Sequence, residues 1–157
     1  MKRWYLFLFL FTLLYGCKKY PDGPGLTFRT PLQRILGTWK AAAYFVNDVD
    51  SIFFFNQYES GLQIGFGSEE NEEGYKGHVR CGSDSSDAYY ATLYWKFVND
   101  KDDLQLDNQH QNDLIDFGGP LAEKDATVYR ILRLTHDELW FETDYNDRHY
   151  EFRWKKS

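Results

Sequence analysis

The stretch "DAYYATLYWKFV", Asp87 to Val98, constrains the fold more than any other part of the chain. Tyr89, Ala91, Leu93, Trp95 and Phe97 fall on one face, and Tyr90, Thr92, Tyr94 and Lys96 on the other. A period of two is the mark of a strand with one face in a core and one toward water. The same alternation returns near the end, where Tyr150, Phe152 and Trp154 oppose His149, Glu151 and Arg153. Aromatic residues make up 19% of the sequence, which suits a sheet because ring side chains pack well on a pleated, half-buried surface.

Reading outward from these anchors gives strands at Gly37 to Val46, Leu62 to Phe66, Tyr75 to Arg80, Asp87 to Val98, Leu104 to Leu106, Ala126 to Leu134, Glu138 to Thr143 and Arg148 to Lys155. "GSEENEEG" after Phe66 reads as a solvated loop, "NDKDD" as a turn, and Asn108 to Asp125 as a long polar loop. Pro31 to Leu36 suits one helical turn, with proline at its start and Gly37 stopping it. "SIFFFNQY", Ser51 to Tyr58, is open between a short buried strand and a helical turn or two capped by Asp50 or Ser51. Thr143-Asp144-Tyr145, followed by Asn146 and Asp147, reads as a hairpin turn, because Asn and Asp tolerate turn geometry. The fold class is therefore all-β: roughly eight short antiparallel strands in a meander that closes into a barrel or a sandwich.

The N-terminus poses a different question. Lys2 and Arg3 precede the apolar run "WYLFLFLFTLLY", which is too short to span a bilayer core that needs ~20 helical residues. Basic start, apolar middle and the small Gly16 have the form of a secretory signal. Leu14-Tyr15-Gly16-Cys17 resembles the bacterial lipobox, which implies cleavage before an acylated, palmitate-bearing Cys17. The expected layout is a signal peptide over residues 1–16, a lipidated tether over 17–30 containing the turn Pro21-Asp22-Gly23, and a barrel domain over 31–157. Leu26 and Phe28 are candidates to tuck against that domain. Acyl chains contribute ~0.8 kcal/mol per buried CH₂, so the membrane is the first expected partner. With Lys18 after the cysteine, the expected location is the outer membrane of a Gram-negative envelope, facing either the periplasm or the surface. Cys81 is the other thiol, so an acylated Cys17 leaves no intrachain disulfide. Net charge is −6, and loss of Lys2 and Arg3 makes the remainder more acidic, which argues against nucleic acid as a partner.

"RILGTWK", Arg34 to Lys40, resembles the entry to lipocalin-type barrels, where a helical turn leads into Gly-x-Trp at the start of the first strand. With the lipobox and the "KKYPDGPG" segment before it, the layout resembles the small lipocalin-like lipoproteins of Bacteroidota. The resemblance implies an up-and-down barrel, with Gly37 and Trp39 at its closed end and an arginine from a late strand over the indole, either Arg153 or Arg133. It also implies non-enzymatic binding of a small apolar or aromatic ligand.

The catalytic and metal motifs are poorly supported. His78 and Cys81 lie three apart, and on a strand such positions point to opposite faces. The acids from Asp100 to Asp107 lack the glycine and distal glutamate of a calcium loop. Glu138 and Glu142 fall on the polar side of their strand. His110, Asp113 and Asp116 show no ligand spacing. No enzyme activity, cofactor or metal is expected. The inward register gathers Trp39, Phe66, Tyr89, Trp95, Phe97, Phe141, Tyr150, Phe152 and Trp154, which either fill the barrel or line a ligand cup. In the cup reading its mouth is bordered by "SIFFFNQY" and the Asn108 to Asp125 loop. The alternative role is binding of another envelope protein through the outer face that carries Tyr90, Thr92 and Tyr94.

Overall fold

The computed structural model describes residues 19–23, 28–56, 61–83, 86–111, 119–123 and 125–157, the side chains of 83, 86–89 and 109–111 excepted. The order is α1 (Pro31–Ile35), β1 (Gly37–Val46), β2 (Val49–Asp50), α2 (Phe53–Asn56), β3 (Leu62–Asn71), β4 (Gly74–Ser83), β5 (Ser86–Val98), β6 (Asp103–Gln111), β7 (Thr127–Leu134), β8 (Glu138–Tyr145) and β9 (Arg148–Lys156). Each barrel strand pairs antiparallel with the next, and β1 also pairs with β9. Eight strands therefore close into an up-and-down barrel, with the two-residue β2 folded back on the end of β1.

Closure depends on β1 serving two neighbours. Gly37 to Lys40 pair with β3, and Trp39 to Val46 pair with β9, with a register shift between Ala41 and Ala43. Such a bulge bends a strand and increases its twist, which carries β1 across from one neighbour to the other. Closing the sheet removes the unpaired edges that would otherwise invite association.

One end of the barrel, the base, holds α1, the start of β1 and the end of β9. The other end, the mouth, is where β1, β4, β6 and β8 finish. At the base, α1 begins with a capping box: Thr30 Oγ1 accepts from the Gln33 amide, and Gln33 Oε1 accepts from the Thr30 amide at 3.1 Å. At the mouth, Asn47-Asp48 and Asn146-Asp147 all take positive φ, between 49° and 64°. That is the twist a two-residue hairpin needs, so "TDYNDR" is a turn for the expected reason. α2 resolves the ambiguity of "SIFFFNQY" at its start, where Asp50 Oδ1 accepts from the Ile52 amide at 3.0 Å; residues 57–60 lie outside the described residues.

Three sequence expectations change. "SEEN", Ser68 to Asn71, belongs to β3 and not to a loop, and the hairpin turns later, where Asn71 Oδ1 accepts from the amides of Glu73 and Gly74. β6 runs on through Asn108 to Gln111, because the buried Asn108 Nδ2 donates to the Leu121 and Glu123 carbonyls at 2.6 and 2.9 Å. The third change concerns the tether. Phe28 is fully exposed, whereas Tyr20 is only 2% exposed and part of the core. Its hydroxyl donates to the Lys101 carbonyl at 2.9 Å, and the Asp22 amide donates to the Leu132 carbonyl at 2.9 Å. Residues 19–23 are thus docked on the base.

The two mouth turns are tied through His149. Its backbone exchanges hydrogen bonds with Asn47, each 2.8 Å, while its Nδ1 meets Asp144 Oδ1 at 2.9 Å and its Nε2 lies 3.5 Å from Glu142 Oε2. The Asp144 hydrogen bond raises the His149 pKa, and Glu142 and Asp48 add to it against partial desolvation. A histidine pKa raised by folding gives stability that is present below the unfolded value of ~6.5 and lost as pH rises through the folded one. His149→Gln is therefore expected to destabilise the barrel more at pH 5.5 than at pH 9. Urea unfolding at the two pH values checks this; an equal loss at both contradicts it.

Candidate functional site

The inward positions anticipated from the sequence meet inside the barrel. Trp39, Phe66, Trp95, Phe141, Tyr150, Phe152 and Trp154 are buried, and Phe97 is half-buried. The side chain of Tyr89 lies outside the described residues. The rings pack on one another. Trp95 meets Tyr75, Phe66 and Phe97 at centroid distances of 4.8, 5.3 and 5.8 Å. Phe152 meets Tyr44, Phe141, Trp154 and Tyr129 at 4.9 to 6.2 Å. Toward the mouth, Phe55 of α2 lies 5.1 Å from Tyr44 and is itself buried. Among the described residues these rings pack against one another across the interior.

The base shows which cation covers the Gly-x-Trp indole. Trp39 is fully buried, its Nε1 donates to the Ile35 carbonyl at 2.7 Å, and Lys156 Nζ sits 4.9 Å from its ring centroid. Lys156 also donates to the Arg34 carbonyl at 3.2 Å, and desolvation lowers its pKa. The expected arginines are elsewhere. Arg153 and Arg133 lie on the outer wall, 4.5 and 5.1 Å from the ring centroid of Trp140, and Arg153 also covers Phe45. The reason is parity: Tyr150, Phe152 and Trp154 point inward, so the next inward residue of β9 is Lys156, which pairs directly with Trp39.

A hollow of about 430 Å³ lies on the outside of the wall, across β1, β3, β4 and β5. Register puts Thr38, Gly65, His78 and Thr92 in one row across these strands. Gly65 has no side chain to fill its place in that row, and the imidazole of His78 lies over it, so a Cβ at Gly65 would collide with the ring. At Gly67 a Cβ would stand 2.6 Å from the Lys76 carbonyl oxygen. The floor is therefore the His78 ring at Gly65 and peptide backbone at Gly67. Tyr90, 40% exposed, runs nearly parallel to the His78 ring, with centroids 6.2 Å apart and planes at 14°. Lys76 and Glu69 put opposite charges among the lining residues, and Thr38 adds a hydroxyl.

The candidate pair His78 and Cys81 does not converge. Cys81 is buried on the inner face, His78 is on the outer face, and the side chain of His110 lies outside the described residues. Glu138 pairs with Arg133 at 2.7 Å, and Glu142 lies 3.4 Å from Arg130. Among the described residues no group of three His, Cys, Asp or Glu side chains is placed to hold a metal ion, and no helix is long and apolar enough to cross a membrane. Cys17 lies outside the described residues.

No family model and no curated protein matches the chain. Among solved structures it is similar to one described as a lipocalin-like protein from Bacteroides uniformis ATCC 8492, at 12% identity and a TM-score of 0.48, over 79% of this chain and 99% of that one. The lipocalin-like architecture of the present chain rests on its own features: eight antiparallel strands closed by β1 and β9, and a helical turn leading into Gly37-Thr38-Trp39.

Proposed function

We propose that this chain is a non-enzymatic binding protein of the bacterial envelope, anchored to the outer membrane through acylated Cys17. Its ligand is a small planar aromatic molecule with a polar substituent, and the hollow on the outer wall holds it. The hollow is the observation that carries this reading. The His78 imidazole lying over Gly65 and the peptide backbone at Gly67 give a flat floor, and Tyr90, nearly parallel to His78, adds a second aromatic surface on which a planar ring can stack. Lys76, Glu69 and Thr38 supply partners for a polar substituent. About 430 Å³ falls in the range of small-molecule sites. Placing the ligand outside also leaves the barrel interior as a packed core, consistent with its ring contacts.

A second reading has one observation in its favour. Tyr90 is exposed on the outer face, so an aromatic side chain of another envelope protein would enter the same hollow.

Calorimetric titration with indole and p-cresol tests the site. Tyr90→Ala is expected to weaken binding about 2- to 10-fold, the scale of one aromatic pair, while Phe54→Ser at the mouth leaves it unchanged. The reverse pattern, loss with Phe54→Ser and none with Tyr90→Ala, would place the ligand at the mouth and overturn the proposal.

A further inference from the structure

We infer that the segment after the anchor is a clamp that sets the barrel base-down on the membrane, mouth away from it; this rests on the proposed acylation of Cys17. The clamp is built from several contacts of different kinds. Lys19 Nζ donates to the Asp100 carbonyl and meets Asp102 Oδ1, both at 2.5 Å, on the turn that joins β5 to β6. Tyr20 is inserted under that turn, with the Arg34 guanidinium 5.8 Å from its ring centroid. Arg34 in turn donates to the Leu134 carbonyl at the end of β7. On the other side of Tyr20, Arg133 Nη1 donates to the Asp22 carbonyl at 2.5 Å, and the Asp22 amide joins the backbone of β7. Burial of the phenol raises the Tyr20 pKa to about 12, with Asp102 adding and Arg34 opposing.

The consequence follows from chain length. Lys19 is fixed to the base, so an anchored Cys17 is two residues away, at most ~7 Å of extended chain. β5 has 13 residues; at ~3.4 Å per residue and a tilt near 40°, the barrel is roughly 30 Å long. The mouth cannot reach the bilayer on so short a link. Phe53 and Phe54, exposed and stacked with centroids 4.2 Å apart, form an apolar pair at the mouth that would otherwise suit insertion into lipid. Held base-down, they face away from the anchoring membrane. A free tether of the kind read from the sequence would impose no such direction.

The experiment uses the full-length protein purified from membranes and reconstituted into vesicles that carry a nitroxide on the lipid headgroup. A fluorophore is attached at Asp137→Cys on the base or at Val49→Cys on the mouth, both exposed positions, while Cys81 is buried. The base label is expected to be quenched several-fold more than the mouth label. In Tyr20→Ala the difference is expected to shrink while the protein stays in the membrane fraction. Equal quenching of the two labels in membrane-bound protein, or a difference that survives Tyr20→Ala, overturns the clamp and leaves the anchor standing. A Cys17→Ser protein that still partitions with the membrane shows instead that the anchor itself is wrong, and the clamp falls with it.

Discussion

Phe152→Ala is expected to cost about 3–5 kcal/mol of stability, seen as a lower urea midpoint with an unchanged slope. Phe152 is at the meeting point of the inner rings, with Tyr44 at 4.9 Å, Phe141 at 5.5 Å, Trp154 at 6.1 Å and Tyr129 at 6.2 Å. These come from β1, β7, β8 and β9, so removing one ring loosens four strands and leaves a space their side chains cannot close. The cost combines lost burial with the residual cavity. Phe152→Leu, which keeps most of the volume, is expected to cost much less. If the alanine variant lost under 1 kcal/mol, the interior would be loosely filled and the cup reading would return.

The second large effect is expected at Gly74, where the chain leaves the β3–β4 turn. Its φ is +137°, a region few side chains tolerate, and a Cβ there would stand 2.7 Å from the Trp95 carbonyl oxygen. Strain of this kind costs on the order of 1–3 kcal/mol, and because the obstructing atom is backbone of β5, relief requires two strands to separate. Gly74→Ala is therefore expected to destabilise by about 3 kcal/mol by chemical unfolding. At Gly65, by contrast, the obstructing atoms belong to the His78 ring, which can swing away. Gly65→Ala is thus expected to cost less stability and to fill the hollow instead.

What the sequence made legible was whatever depends on parity and short-range chemistry. The inner face of β9 follows from alternation alone, as does the Asn146-Asp147 turn from its residue types. Parity also places Lys156, two positions after Trp154, on the inner face over Trp39, where the lipocalin-type motif implies an arginine. The docking of residues 19–23 is not legible in the sequence, because Pro21 and Gly23 look the same in a free linker and in a turn packed on a protein; the contact of Tyr20 with a turn 81 residues later distinguishes them. "SEEN" is polar on both faces and therefore silent in a periodicity reading, although a hairpin that projects beyond the core supports such a strand. The hollow was beyond reach for another reason. It is made by side chains that are missing at Gly65 and Gly67, and its depth depends on which residue of β4 lies opposite. Register across four strands is a tertiary property that no single strand encodes.

The central claim is that the ligand site is the outer wall and that the interior is core. Backbone amide shifts of the isotope-labelled protein, followed while indole is added, test it most directly. The account predicts movement of Gly65, Gly67, Lys76, His78 and Tyr90, with Tyr44, Phe55, Asn108 and Tyr150 still. Shifts centred on Tyr44, Phe55 and Tyr150, with the Gly65 to Gly67 stretch unmoved, would contradict it.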